Sequence, residues 1–206
     1  MKIGFIGCGN MGQAMVSGML ASGKVKTEDL IISDKTLEAR VKLKDKYGVY
    51  IAESNTEVAM ISDVIFLAVK PQFYEEVITE IKQSVWSDKI LVAIAPGKTF
   101  AWIEETLGKP AKIVRAMPNT PALVKEGMMG ICGNEQVTND ELMTVSNLCA
   151  GFSRVEVVSE PMLDVVTAVS GSSPAYVFMF IEAMADAAVA EGMPRKQAYT
   201  FAAKAV

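Results

Sequence analysis

Histidine is absent from this 206-residue chain. This removes the commonest general base near neutral pH and the commonest transition-metal ligand. The three cysteines, Cys8, Cys132 and Cys149, form no CxxC pair, and their odd number does not suit a disulfide framework. We therefore predict no metal site and a reduced, cytoplasmic setting.

Long apolar runs and an excess of basic charge are also missing. The chain has 20 Lys and Arg against 24 Asp and Glu, so it lacks the excess of positive charge that is typical of proteins that bind nucleic acid or an anionic membrane. Glycines interrupt the apolar N-terminus, so it does not resemble a signal peptide. Since no uninterrupted apolar stretch reaches the length of a membrane span, we expect a globular protein that binds neither nucleic acid nor a membrane.

Short apolar runs alternate with helical patterns over the first three quarters of the chain. Ile3–Ile6 and Val64–Val69 are apolar throughout, as is typical of strands buried on both faces, and Gly7 and Pro71 stop them. Between them, Met11, Met15 and Met19 recur at helical spacing. The alternation predicts an α/β fold with a mostly parallel sheet covered by helices.

Only helical patterns follow Pro161. We therefore predict a dinucleotide-binding domain over residues 1–160 and the start of a helical domain over residues 161–206. The segment Ala175–Ala190 carries two charged residues and is apolar almost all round, so it must be buried. The small helical domain has too little mass to bury it, and we predict a second subunit as its cover, with an ordinary core helix as the alternative.

A glycine-rich turn, Gly7-Cys8-Gly9-Asn10-Met11-Gly12, joins the first predicted strand to the first predicted helix. In a GxGxxG turn at this place, the first glycine permits the tight turn and the second lets the backbone approach a pyrophosphate. The third allows the helix to pack closely on the strand. Free N–H groups and the positive dipole of the helix start then attract the phosphates. The turn predicts a bound nicotinamide dinucleotide.

The end of the second strand bears on the choice between NAD and NADP. Asp34 lies 22 residues after Gly12, near the place where an acid binds the ribose hydroxyls of NAD. Its polar neighbours suit a 2′-phosphate instead: Ser33, Lys35, Thr36 and Arg40. These residues alone leave the choice open.

Three further loops end predicted strands at the same sheet edge: Ala68–Pro71, Ile94–Gly97 and Arg115–Pro121. Because ligands of open parallel sheets bind beyond the carboxyl ends of the strands, we expect these loops to share one site. Lys70 would face the cofactor, and two prolines would display Asn119 and Thr120.

The segment Ser170–Pro174 is predicted to break two helices. Free N–H groups at the start of the second helix would then hold a carboxylate. A plain linker with a serine cap is the alternative.

Five strings, FIGCGNMG, FLAVKPQ, RAMPNTPALV, SGSSPAYVF and EGMPR, together resemble the pyrroline-5-carboxylate reductase family of proline biosynthesis. They span Phe5 to Arg195. Many families share GxGxxG, but MPNTP with SGSSPAY is highly specific. The resemblance implies a Rossmann domain followed by an all-helical dimerisation domain, and a homodimer or higher homo-oligomer. It also implies reduction of L-1-pyrroline-5-carboxylate to L-proline with NADPH or, less often, NADH.

The resemblance also implies site residues by matched position. The cofactor would be lined by Ile6, Gly7, Cys8, Gly9, Asn10, Met11, Gly12, Ser33, Lys35, Asn55, Ala68, Val69, Lys70, Pro71, Ile94, Ala95 and Pro96. The substrate would lie near Asn119, Thr120, Ser170, Gly171 and Ser172. The family often has Asn-Arg where this chain has Asp34-Lys35, which weakens the NADPH assignment without reversing it.

The family pattern continues into a Ser-Pro-Gly-Gly-Thr-Thr segment that nothing here matches. The last helix reaches Val206 without a stop signal. We therefore expect the catalytic residues in a segment missing from this chain, and expect residues 1–206 to bind the dinucleotide but to turn over poorly.

Two other functions fit parts of the sequence. A β-hydroxyacid dehydrogenase-like oxidoreductase would use a lysine of the helical domain as acid, yet Lys196 and Lys204 are the only lysines after Pro161 and neither lies in an apolar helix interior. A dinucleotide-binding protein without catalysis is the second alternative. Imine reduction suits a chain without histidine, because a protonated cyclic imine is already electrophilic.

Overall fold

A computed structural model describes residues 1–206. Eight strands form one sheet in the order β3-β2-β1-β4-β5-β6-β7-β8. The strands are β1 Ile3–Ile6, β2 Leu30–Ser33, β3 Tyr50–Ile51, β4 Val64–Leu67, β5 Ile90–Ala93, β6 Lys112–Pro118, β7 Gly127–Gly133 and β8 Ser153–Val157. Every pairing is parallel except that of β6 with β7. Since β1 lies between β2 and β4, the strand order reverses beside β1, where open sheets of this kind bind ligands.

Nine α-helices connect or follow the strands. They are α1 Asn10–Ala21, α2 Leu37–Tyr47, α3 Asn55–Ile61, α4 Tyr74–Ile81, α5 Phe100–Leu107, α6 Asn139–Cys149, α7 Met162–Val166, α8 Ser173–Ala190 and α9 Arg195–Ala205. The predicted mostly parallel α/β sheet, followed by helices alone, is confirmed.

Alternate residues of the inner strands enter two different cores. In β1, Ile3 and Phe5 join the core formed with α1, α2 and α6, whereas Ile6 joins the core formed with α3, α4 and α5. β4 divides in the same way, with Phe66 on the first side and Leu67 on the second. Successive side chains of a strand point to opposite faces, so a strand buried on both faces must be apolar at every position.

A partly buried ion pair joins the sheet to the helical end of the chain. Arg115 of β6 donates to Glu160 across 2.9 Å, and the Arg115 side chain is only 4% exposed. The same carboxylate oxygen accepts the N–H of Phe100 at the start of α5. Glu160 therefore fixes the entry to α7 against both β6 and α5.

The helical end differs from the sequence prediction at one place. The chain passes from α7 to α8 through a π-turn, Thr167–Gly171, without breaking the helical run. Met162–Ala190 thus forms one run of 29 residues that is long and apolar enough to cross a membrane, judged by length and composition only. The sequence predicts no segment of this length, because Ser170–Pro174 has the pattern of a break between helices.

The apolar helix α8 has almost no cover within the chain. Only Ala185 is buried, where it packs with Ala198 and Ala202 of α9. Several large apolar side chains of α8 are exposed, and Phe178 and Met179 are each 66% exposed. The alternative of an ordinary core helix is therefore excluded for this chain by itself.

Candidate functional site

A cavity of about 1020 Å³ opens at the carboxyl ends of the parallel strands. The loops after β1, β2, β4, β5 and β6 supply its walls together with the start of α3. The predicted cofactor residues that line it are Ile6, Gly7, Gly9, Asn10, Met11, Ser33, Lys35, Asn55, Ala68, Val69, Lys70, Pro71, Ile94, Ala95 and Pro96. Cys8 and Gly12 do not line it. The structure thus brings five separate loops of the chain to one cavity.

The three glycines of the first turn differ in the space around them. Gly7 has a φ of 99°, and a Cβ there would lie 2.7 Å from the carbonyl of Ala68. A Cβ at Gly12 would lie 2.5 Å from the carbonyl oxygen of Gly7. A Cβ at Gly9 would meet nothing within 4 Å. Gly7 and Gly12 are therefore required by the fold, whereas Gly9 leaves open space in the cavity wall, as a pyrophosphate requires.

The start of α1 presents unused hydrogen-bond donors to this space. The helix has Gly9 as its N-cap, which offers no side chain. The N–H groups of Asn10, Met11 and Gly12 donate to no protein oxygen, and the first helical bond is donated by Gln13 to Gly9. Free N–H groups at a helix start, with the positive end of the helix dipole, favour a bound anion. Open space and free donors together fit the pyrophosphate of a dinucleotide.

Asp34 uses its carboxylate to hold the glycine turn. One oxygen accepts the N–H of Cys8 at 2.7 Å, and the other accepts the N–H and the hydroxyl of Thr36 at 2.9 and 2.6 Å. Partial burial opposes ionisation, but these hydrogen bonds outweigh it and lower the pKa of Asp34. Asp34 is therefore an ionised brace between the first turn and the β2–α2 loop.

This brace explains why Cys8 lies outside the cavity. Its N–H points to Asp34, and its thiol is buried beneath the turn, 3.6 Å from the carbonyl oxygen of Ser33. Burial, followed by the charge of Asp34, raises the pKa of the Cys8 thiol. The thiol is therefore neutral and inert at physiological pH.

Two cationic residues that follow β2 in the chain, Lys35 and Arg40, line the cavity. The Lys35 ammonium lies 5.9 Å from the ring centre of Phe73, which belongs to the loop after β4. Arg40 donates from Nη1 to the carbonyl of Ala52 at 3.1 Å, but its buried Nε has no partner. A guanidinium beside an ammonium suits a phosphate group at this end of the cavity.

A short chain of polar side chains crosses the same end of the cavity. The Ser33 hydroxyl donates to Asn55 Oδ1 at 2.7 Å, and Asn55 Nδ2 donates to Glu80 Oε2 at 2.7 Å. These bonds fix the Asn55 amide in one orientation. Glu80, Glu76 and Phe73 line the cavity without having been predicted from the sequence.

Tyr74 is the clearest positioning residue that the sequence analysis missed. Its buried hydroxyl donates to the carbonyl of Leu67 at 2.6 Å and accepts the N–H groups of Ile94 and Ala95 at 3.0 and 3.1 Å. Burial raises the pKa of the phenol, which stays neutral. One hydroxyl thus joins the ends of β4 and β5, which both line the cavity.

A sequence signal for Tyr74 existed. Tyr74, Val77, Ile78 and Ile81 recur at helical spacing, which predicts a buried helix face. A tyrosine on such a face needs a hydrogen-bond partner for its hydroxyl. The identity of that partner depends on the strand order.

The predicted substrate residues fall in two different places. Thr120 lines the cavity beside Met117 and Pro118. Asn119 does not line it, because its buried side chain turns away from the cavity: Oδ1 accepts the N–H of Met128 at 2.8 Å and Nδ2 donates to the carbonyl of Ser170 at 3.1 Å.

Ser170, Gly171 and Ser172 belong to the π-turn or its end and do not line the cavity. The Ser170 hydroxyl donates to the carbonyl of Val166, and the Ser172 hydroxyl donates to that of Thr167. The Ser172 side chain accepts no capping hydrogen bond from the N–H groups of α8, and the Ser172 N–H donates to the carbonyl of Thr167. The break predicted at Ser170–Pro174 is therefore wrong, and a hydrogen-bonded turn stands in its place.

Comparison with known proteins identifies the chain. Residues 2–97 match the family described as "NADP oxidoreductase coenzyme F420-dependent", and residues 160–206 match the one described as "Pyrroline-5-carboxylate reductase dimerisation". The pyrroline-5-carboxylate reductase of Escherichia coli (strain K12) is 51% identical over 205 residues, covering 100% of this chain and 76% of that protein. The chain belongs to the pyrroline-5-carboxylate reductase family.

Other members of the pyrroline-5-carboxylate reductase family are similar over the whole chain. Pyrroline-5-carboxylate reductase 3 of Danio rerio is 39% identical, covering 100% of this chain and 71% of that protein. The crystal structure of Plasmodium falciparum pyrroline carboxylate reductase, solved with NADP bound, superposes with a TM-score of 0.89 at 33% identity. It covers 100% of this chain and 75% of that one. The predicted family and the predicted Rossmann fold with a helical dimerisation region are confirmed.

The two strings most specific to the reductase family meet in space. The MPNTP string ends β6 at the cavity wall, and the SGSSP string forms the end of the π-turn and the start of α8. The Asn119–Ser170 hydrogen bond connects them directly. The sequence analysis placed both near the substrate but did not predict their contact.

Proposed function

We propose that this chain reduces L-1-pyrroline-5-carboxylate to L-proline, the last step of proline biosynthesis, with NADPH as the hydride donor. The family assignment gives the reaction. One cavity supports the assignment of the reaction to this site. The open space at Gly9, the cations Lys35 and Arg40, and Thr120 of the MPNTP string all line it. The chain is accordingly an oxidoreductase of proline biosynthesis that uses NADP.

The residues divide the cofactor between them. Gly9 and the free N–H groups of Asn10 and Met11 would hold the pyrophosphate. Lys35 and Arg40 would hold the 2′-phosphate, because both cations lie beside the end of β2, where the ribose of a dinucleotide binds. Both carboxylate oxygens of Asp34 already accept hydrogen bonds within the protein, so we do not assign Asp34 to the ribose hydroxyls of NAD.

The small residues after β4 and β5 would form the nicotinamide end. Ala68, Ile94 and Ala95 line the cavity there, and the Tyr74 hydroxyl fixes the two strand ends that carry them. When bound, NADPH supplies the hydride that reduces the imine carbon. The protein orients the reactants, and orientation alone lowers a barrier by about 7–11 kcal/mol in favourable cases.

The wall formed by Met117, Pro118 and Thr120 would face the substrate. A protonated imine needs no strong general acid at its carbon, which is consistent with a site built without histidine. The Thr120 hydroxyl is the polar group of this wall and would order water or the substrate nitrogen.

We further propose that residues 1–160 form the dinucleotide-binding domain and that residues 161–206 belong to the dimerisation region. The family match over residues 160–206 supports this division and a homo-oligomeric state. A second copy would then cover the exposed apolar side of α8, with neither membrane nor nucleic acid as a partner. A cytoplasmic location is supported by three buried, reduced cysteines.

The test is product formation under steady-state conditions. Purified protein is mixed with pyrroline-5-carboxylate and NADPH, and proline is quantified by mass spectrometry alongside the loss of reduced cofactor. We expect one proline formed for each NADPH oxidised, and no oxidation when a β-hydroxyacid and NADP replace the two reactants. Oxidation of NADPH without proline, or turnover of the hydroxyacid, would contradict the proposed function.

A further inference from the structure

The Asn119 side chain sits between two elements and uses both ends of its amide. Oδ1 accepts the N–H of Met128 in β7, and Nδ2 donates to the carbonyl of Ser170 in the π-turn. The residue is 8% exposed. A buried amide with both ends paired holds its partners at fixed positions, and loss of one partner leaves the other unsatisfied.

The need for this donor follows from the chemistry of Pro174. In an α-helix, the carbonyl of residue 170 accepts the N–H of residue 174. Residue 174 is proline, which has no N–H and therefore cannot supply that bond. The helix passes this point as a π-turn, in which the Ser172 N–H reaches back five residues to Thr167. Asn119 supplies a donor to Ser170 from outside the helix.

The same hydrogen bond ties the helix to the wall of the cavity. The residues on either side of Asn119, Pro118 and Thr120, both line the cavity. Helix α7, which leads directly into the π-turn, packs on β7, where the side chain of Val166 would lie 3.0 Å from a Cβ added at Gly130. Movement of the π-turn would therefore shift Asn119, and with it the cavity-lining residues Pro118 and Thr120.

We infer that Asn119 is a positioning residue whose amide replaces the N–H that Pro174 lacks and thereby holds the π-turn against the substrate wall at the end of β6. The role is distinct from binding, because both ends of the amide are already paired within the protein. Its effect on substrate rests on the proposed function, whereas the hydrogen-bond replacement does not.

A double-mutant cycle tests the replacement. Thermal unfolding is followed for the wild type, Asn119→Ala, Pro174→Ala and the double variant at one protein concentration. We expect Asn119→Ala to lower the midpoint by roughly 3–10 °C, as for a buried hydrogen bond lost from a chain of this size. Pro174→Ala restores an N–H at residue 174, so the same substitution should cost clearly less in that background. Equal losses in both backgrounds would overturn the inference.

Substrate kinetics test the positioning role. We expect Asn119→Ala to raise the KM for pyrroline-5-carboxylate roughly fivefold or more, because a wall moved by a fraction of an ångström misplaces the substrate. The dissociation constant of NADPH should stay within about twofold, since the pyrophosphate cradle is untouched. Adding Pro174→Ala to Asn119→Ala should bring the raised KM part of the way back to the wild-type value. A KM at the wild-type value would limit Asn119 to a structural role and overturn the proposal.

A matched control is available in Asn147, an exposed asparagine of α6 with no side-chain hydrogen bond. Asn147→Ala should leave both the midpoint and the KM unchanged. Absence of turnover in the wild type would refute the proposed function, and the unfolding cycle would still decide the hydrogen-bond replacement.

Discussion

Asp34 carries a negative charge at the edge of the cofactor cavity and uses it to hold the glycine turn. Replacement by asparagine keeps a side-chain oxygen for one of these bonds and removes the charge that faces the 2′-phosphate site. We expect Asp34→Asn to raise the preference for NADPH over NADH by about threefold to tenfold, from relief of like-charge repulsion across a partly solvated site. Fluorescence titration with each cofactor gives the ratio of dissociation constants.

The control for this charge effect is Asp45→Asn. Asp45 is exposed on α2 and does not line the cavity, so its removal changes the net charge by the same amount without changing the site. An Asp34→Asn protein that gains affinity for NADH as much as for NADPH would contradict the assignment of Lys35 and Arg40 to the 2′-phosphate.

Tyr74 allows a second test at the scale of one atom. Tyr74→Phe removes the hydroxyl and leaves the carbonyl of Leu67 and the N–H groups of Ile94 and Ala95 without their partner. We expect a loss of about 2 kcal/mol or more in the free energy of unfolding. Affinity should fall for NADPH and for reduced nicotinamide mononucleotide, but not for adenosine 2′,5′-bisphosphate, because only the nicotinamide end moves.

Calorimetric titration with the three ligands measures this difference. Tyr50→Phe is the matched control, since the Tyr50 hydroxyl bonds only Glu57 at the surface. A uniform loss for all three ligands would show that Tyr74 supports the fold in general and not the nicotinamide end.

At the scale of elements, the β1–turn–α1 unit separates folding from binding. A methyl group at Gly9 enters open space, whereas one at Gly12 meets the carbonyl oxygen of Gly7 at 2.5 Å. We expect Gly9→Ala to fold with a midpoint within about 2 °C of the wild type and to lose NADPH affinity by at least roughly tenfold, because the methyl group occupies the pyrophosphate space. Gly12→Ala should destabilise the fold itself. Thermal unfolding and cofactor titration of the two variants provide the comparison.

The same unit shows what local sequence can predict. Glycine spacing, an apolar strand and a helical pattern are all contained within the first 21 residues, and the structure has β1, the turn and α1 in those places. The bond from Asp34 to Cys8 was not predictable, because it requires β2 to lie beside β1. Spacing alone therefore suggested an acid for the ribose, whereas the folded chain uses the carboxylate internally.

The π-turn shows the opposite case. Serine, glycine and proline in a row are typical of a break between helices, and the sequence analysis predicted one at residues 170–174. The helical run survives because the serine hydroxyls bond helix carbonyls and Asn119, 51 residues earlier, donates to Ser170. A partner so distant in sequence cannot be read from the segment itself.

For the whole molecule, the proposed cover of the exposed apolar side of α8 is a second copy of the chain. Phe178→Glu places a charge on this surface, where the wild-type side chain is 66% exposed in the single chain. We expect the dissociation constant of self-association to rise by at least roughly tenfold, because large aromatic residues dominate the energy of such interfaces. Sedimentation velocity over a dilution series measures the shift toward monomer.

Leu37→Glu serves as the control, since Leu37 is 64% exposed at the start of α2 and lies outside residues 161–206. Its self-association should match that of the wild type. A Phe178→Glu protein with unchanged association would mean that another surface joins the copies.

The central claim is that the cavity at the carboxyl edge of the sheet holds NADPH for hydride transfer to the imine carbon of pyrroline-5-carboxylate. Transfer of deuterium from NADPH that carries deuterium at both C4 positions of the nicotinamide tests it most directly, with mass spectrometry of the product. The account predicts proline that carries one deuterium at C5 in the wild type and little product with Gly9→Ala. Unlabelled proline, or labelled proline formed equally well by Gly9→Ala, would contradict it.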